Sequence, residues 1–188
     1  HLGAAQLAAS HIIRSVLGIT GIVTWALAST CNTMVSNLLG QQKSHEVLTL
    51  VKKILSVSFA YAIVICVLLQ LFPLQFFAIY THDATVVQEG LLSLKWMSYS
   101  ILALSLGTIC FNAVIGSGKT FVNLAIEIFC VGVYMVYVTI VVEKMKAPLH
   151  WGWASEFVYW GLLFIISGFY LLKKFGKKSL QNKSELSI

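Results

Sequence analysis

Five long apolar runs constrain this chain more than any other feature. They read Leu17 to Leu39, Ile54 to Tyr80, Leu91 to Ile115, Phe121 to Val142 and Phe157 to Leu172. A helix needs about 20 mostly apolar residues to cross the hydrocarbon core of a bilayer. Four runs reach that length, and the fifth does when residues 151–155 are added. One soluble core could not hide so much apolar surface in 188 residues. The expectation is an all-α membrane protein built on a bundle of five transmembrane helices.

Composition supports this reading. The hydrophobic fraction is 58%, only 11% of residues are charged, and mean hydropathy is +0.84. Globular domains carry about 25% charged residues. The runs lack the strict alternation of a membrane barrel, whose strands are roughly 10 residues long. Cys31, Cys66, Cys110 and Cys130 all lie inside apolar runs with no CxxC pair, which argues against a disulfide framework or metal site. Membrane-embedded proteases and acyltransferases need His, Asp or Ser–His clusters at depth. His1, His11, His45, His82 and His150 instead fall at or outside the predicted boundaries. No enzyme activity and no cofactor are expected.

Lysine placement orients the bundle. Five crossings put Lys43, Lys52, Lys53, Lys119, Lys173, Lys174, Lys177, Lys178 and Lys183 on one side, against Lys95, Lys144 and Lys146 on the other. By the positive-inside rule the richer side is cytoplasmic, and so is the C-terminus of this multi-pass protein of the inner or plasma membrane. The net charge of +6 is therefore a topology signal, and no nucleic-acid partner is expected. Tyr80, Trp96, Trp151 and Trp153 gather near the predicted outer boundary, where aromatic rings favour the headgroup zone. Pro73 predicts a kink or break near the outer end of the second span.

Gly116-Ser-Gly-Lys-Thr120 imitates the end of a nucleotide-binding loop. The full pattern is GxxxxGK[ST] after a buried strand. Here Ala113 stands where the first glycine belongs, and a helix-length apolar run precedes it. The segment reads as a tight turn.

Polar residues inside the runs share helical faces. Trp25, Ser29, Asn32 and Ser36 form one stripe. Ser98, Ser105, Thr108 and Asn112 form a second, and Asn123, Glu127, Cys130 and Tyr134 a third. Three such stripes either line a shared cavity or tie helices together by hydrogen bonds. The cavity-lining candidates are Asn32, Ser36, Ser105, Thr108, Asn112, Asn123 and Tyr134. Glu127 lies seven residues beyond the Gly116–Thr120 turn, about 10 Å along the helix. A carboxylate at that depth must be paired, protonated or bound to a cation, which makes Glu127 the candidate coupling group; the alternatives are a carboxylate reaching back toward the interface and a structural partner for Asn123. Arg14 is read as snorkelling to the outer surface, with a pairing to Glu156 left open.

Gly3-Ala-Ala-Gln-Leu-Ala-Ala-Ser-His11, followed by a span ending Val35-Ser-Asn-Leu-Leu-Gly-Gln-Gln-Lys43, resembles the second-lobe repeat of multidrug and toxic compound extrusion (MATE) transporters. Ile79-Tyr-Thr-His-Asp-Ala-Thr-Val-Val87 is similar to that family's outer loop between its ninth and tenth helices. Val114-Ile-Gly-Ser-Gly-Lys-Thr120 is similar to the turn after the tenth. The resemblance implies helices eight to twelve of a twelve-helix, two-lobe antiporter that exports organic cations or drugs in exchange for Na⁺ or H⁺. Residues 1–176 would be a partial C-terminal transport lobe with spans at about 12–39, 54–80, 91–115, 121–142 and 152–172. Residues 177–188 would be a basic and polar cytoplasmic tail. The opening at His1, already in a semi-apolar stretch, suggests the C-terminal part of a larger protein. The implied partners are membrane lipid, small organic cations, and the absent first lobe and seventh helix. Such a fragment is not expected to transport alone. Several family members carry an acid in the middle of the tenth helix, where this chain has Leu104. The alternatives are an exporter of lipid-linked precursors, whose anionic substrates need cavity cations, and a structural membrane subunit.

Overall fold

The computed structural model describes residues 3–185, with side chains described through residue 176. The expected lysine tail from Lys177 onward therefore falls outside the described side chains, and residues 186–188 outside the described backbone.

All regular structure among the described residues is helical. The helices are α1 (Ala4–Gly40), α2 (Val47–Leu71), α3 (Pro73–Ala78), α4 (Ala84–Gly116), α5 (Thr120–Val138) and α6 (Leu149–Glu185). A π-helical stretch, Thr139–Lys144, prolongs α5. Five of these helices are long and apolar enough to cross a membrane. The polypeptide is an all-helical membrane bundle.

Helix α2 stops at Leu71, and Pro73 opens α3 at its first position. Proline lacks the N–H that continues a helix but fits the first turn of a new one. The Gly116–Thr120 segment is a turn between two helices. Gly118 there has φ of +71°, a backbone angle that glycine adopts without strain.

Helix α4 is the axis of the bundle. Its most apolar window is 67% buried, against 11% for α5. It packs chiefly on α6 and α1, then on α2. Small residues explain the position, because without a hydrophobic force between lipid-immersed helices close backbone approach is what holds them. A Cβ on Gly107 would stand 2.4 Å from the Trp160 carbonyl oxygen of α6. A Cβ on Gly116 would stand 2.5 Å from the Asn32 carbonyl oxygen of α1. Around the axis, α5 shows Phe121, Leu124, Ile128, Phe129, Met135 and Val136 to the outside. Such a surface belongs against acyl chains, not water.

Candidate functional site: a charged aromatic cavity and a deep carboxylate

The antiparallel arrangement brings the first half of α1, the middle of α4, the second half of α5 and the start of α6 to one level. There they line a half-open cavity of about 540 Å³. Four aromatic side chains line it, Trp25 from α1, Tyr134 from α5, and Trp153 and Trp160 from α6, beside Leu17 and Leu149. Leu104 faces it from α4. Two charged residues line it, Arg14 and Glu156.

Glu156 is oriented from its own helix. The Trp160 indole N–H, one turn on, donates to its Oε2 at 3.0 Å. Arg14 is exposed. The described residues contain one ion pair, His45 with Glu46, so Arg14 and Glu156 share the cavity without pairing directly. Neither side chain is committed to the other.

Glu127 sits behind this wall, at the contact between α5 and α6. The Tyr159 hydroxyl donates to its Oε1 at 2.8 Å. Its other oxygen, Oε2, is buried and unpartnered, as is Asn123 Oδ1 one turn away. The Tyr159 ring lies edge-on to Trp160 at 4.8 Å and to Tyr134 at 6.0 Å. Both of those rings are cavity wall, so the carboxylate touches the cavity through a single aromatic side chain.

The sequence-derived candidates separate into two groups. Tyr134 lines the cavity, and Glu127 and Asn123 lie one layer behind it. The others serve helix contacts and local turns. Ser36 Oγ donates to the Gly116 carbonyl at 3.0 Å, and Asn32 packs its backbone on the same glycine. Ser105 Oγ bonds back to Leu102 O at 2.8 Å, and Asn112 Nδ2 to Thr108 O at 3.0 Å. Thr108 is buried with its hydroxyl unpartnered. Ser98, from the same stripe, accepts from Gln70 Nε2 at 2.8 Å and ties α4 to α2.

Sequence reasoning passed over Tyr159 and Trp160, read Trp153 only as a boundary aromatic, and left Glu156 only as a partner for Arg14. The expected span at 152–172 already contained Glu156 but gave it no helix face; it lies in the third turn of α6. The signal was present: Glu156, Tyr159 and Trp160 follow i, i+3, i+4 spacing and must share a helix face.

The sequence matches the MatE family over residues 1–141. The chain belongs to the MatE family. A search of curated proteins gave no match. The MatE segment takes in α1 to α5, so Glu156, Tyr159 and Trp160 come from beyond it. MatE proteins are multi-pass membrane transporters of the drug and cation antiporter class, ion-coupled, and not enzymes. The architecture that MatE membership implies is larger than this bundle of five helices.

Proposed function

We propose that this MatE chain forms part of the C-terminal lobe of an exporter that moves small organic cations out of the cell in exchange for Na⁺ or H⁺. On this reading residues 1–176 belong to the lobe, the lysine-rich side is cytoplasmic, and the first lobe and seventh helix complete the path.

The observation that carries the reading is the cavity between α1, α4, α5 and α6. Aromatic faces attract organic cations, by about 2 kcal/mol when the pair is desolvated. Glu156 adds a carboxyl group beside those faces. Arg14 is the single feature that favours an anionic, lipid-linked substrate, and Glu156 on the same cavity offsets it. Glu127 supplies the ion-coupling group, a carboxylate inside the hydrocarbon zone and outside the substrate space.

The test is ethidium efflux from cells carrying the full-length gene, with the Na⁺ and proton gradients collapsed separately. Efflux should stop when the coupling gradient is removed. Glu156→Gln should weaken ethidium affinity about tenfold, equivalent to about 1.4 kcal/mol. Efflux indifferent to both gradients, or untouched by Glu156→Gln, would refute the reading. In the same cells a cysteine placed at Lys43 should react with an impermeant maleimide only after permeabilisation, and the four native cysteines are buried.

A further inference from the structure

The contact between α5 and α6 is short of hydrogen. Glu127 Oε1 receives one from Tyr159. Glu127 Oε2 and Asn123 Oδ1 are buried acceptors that receive none. An ionised carboxylate with one donor, at a depth that lipid surrounds, is costly. Among the described residues no Lys, Arg or His lies within ion-pair distance of Glu127. On α5 the titratable neighbours are Cys130 and Tyr134, which meets the Tyr159 ring, and α4 presents Cys110 in the same apolar cluster as Cys130. Helix α6 presents Tyr159 and, one turn away, Glu156. Lys119 is exposed about two turns before Glu127, while Glu143 and Lys144 stand at the far end of the helix.

One proton removes both deficits. Placed on Oε2, it cancels the charge and turns an orphan acceptor into a donor. Residues four apart on a helix are neighbours, so that donor can meet Asn123 Oδ1. A hard metal cation asks for about six oxygen ligands, and this contact offers the side-chain oxygens of Glu127, Asn123 and Tyr159. We infer that the coupling ion is a proton taken up at Glu127 Oε2, and that Tyr159 transmits its arrival to the cavity wall. The inference rests on the reading of Glu127 as the coupling group.

Transmission follows from the ring contacts. While Glu127 is ionised, a charge-assisted hydrogen bond, about twice as strong as a neutral one, holds Tyr159 toward α5. Protonation weakens that hold. The Tyr159 ring is then free to turn, and Trp160 and Tyr134, which it touches edge-on, move with it. Proton binding and cation binding thereby become linked, each changing the other's affinity by the same factor. Tyr159 is a positioning residue, because it meets the ion site and the wall but does not line the cavity.

The experiment uses the full-length protein in lipid nanodiscs, as wild type, Glu127→Gln and Tyr159→Phe. Infrared difference spectra across a pH series read protonated carboxyl directly. A carboxyl band should grow as pH falls, be missing in Glu127→Gln, persist in saturating sodium chloride, and appear at a displaced pH in Tyr159→Phe. Ethidium affinity in the wild type should fall with falling pH by at most tenfold per unit, the one-proton limit. It should be flat in Glu127→Gln and flattened in Tyr159→Phe, whose ethidium affinity at neutral pH stays within about threefold. Sodium erasing the band would overturn the inference and leave Glu127 as a sodium site. A band surviving Glu127→Gln, or an unchanged pH profile in Tyr159→Phe, would also overturn it. Failure of the wild type to bind ethidium at any pH would refute organic-cation export instead, and the infrared result would still decide the proton site.

Discussion

At Gly107 and Gly116 a hydrogen atom stands where any other residue would place carbon against backbone. The nearest atoms are carbonyl oxygens of Trp160 and Asn32, which cannot swing aside as a side-chain tip can. Gly107→Ala and Gly116→Ala should each destabilise the protein by about 1–3 kcal/mol, the usual cost of overpacking. Thermal unfolding of the full-length protein in detergent micelles reads this, with Gly132→Ala as control because nothing lies within 4 Å of its added Cβ. Equal transition temperatures in all three variants would mean that α4 does not meet its neighbours at these glycines. Ser36 beside Gly116 is a weaker contributor, since such interhelical bonds are worth about 0.6 kcal/mol on average. The position of Glu127 two turns into α5 was legible from the sequence, because it follows from counting residues past a turn. Its partner was not. Tyr159 lies 32 positions away, and no spacing rule reveals which face of α6 turns toward α5.

Elements were easier to read than contacts. Each of the five apolar runs falls on a helix long enough to cross a membrane, because apolar length is a one-dimensional property, although the second run breaks at Phe72 between α2 and α3. The helices outrun the apolar runs, with α1 beginning at Ala4, α2 at Val47 and α4 at Ala84. Helices leaving the hydrocarbon keep their own hydrogen bonds, so polarity marks the membrane boundary but not the helix end. Capping marks the end instead. Asp83 precedes α4, and its carboxylate accepts from the Thr85 backbone N–H at 2.9 Å and the Thr85 hydroxyl at 2.7 Å. These bonds hold its carboxyl below the usual carboxylate range. A group depressed on folding stabilises fully above its unfolded value and loses that effect as pH falls through its folded value. The first turn of α4 should therefore fray in acid. Hydrogen exchange at the Thr85 amide should quicken, relative to residues deep in α4, as pH drops below the ordinary carboxylate range. In Asp83→Ala the amide should be fast throughout. A relative exchange rate that ignores both pH and Asp83→Ala would remove the cap from the account.

For the whole molecule, the sequence disclosed the solvent but not the centre. Helix α4 does not stand out by hydropathy: its 1.7 lies just above 1.6 for α1 and 1.5 for α6, and below 2.4 for α2 and 2.2 for α5 with its π-helical end. Its glycines, serines and alanines make it the axis, and that is a property of size. The same distinction explains the polar stripes. A serine facing another helix and a serine facing a cavity look alike in sequence, and packing alone sends Ser36 to Gly116 and Tyr134 to the cavity. The cavity also recruits Glu156 and Trp160 from α6, which lies beyond the MatE segment. The central claim joins that space to the carboxylate behind it: one binds the cation, the other couples its movement to an ion gradient. Transport by full-length Glu127→Gln protein in proteoliposomes tests the claim most directly. The account predicts that ethidium still exchanges with ethidium across the membrane at close to the wild-type rate, while uptake driven by a proton or sodium gradient is lost. Gradient-driven uptake equal to that of the wild type would contradict it.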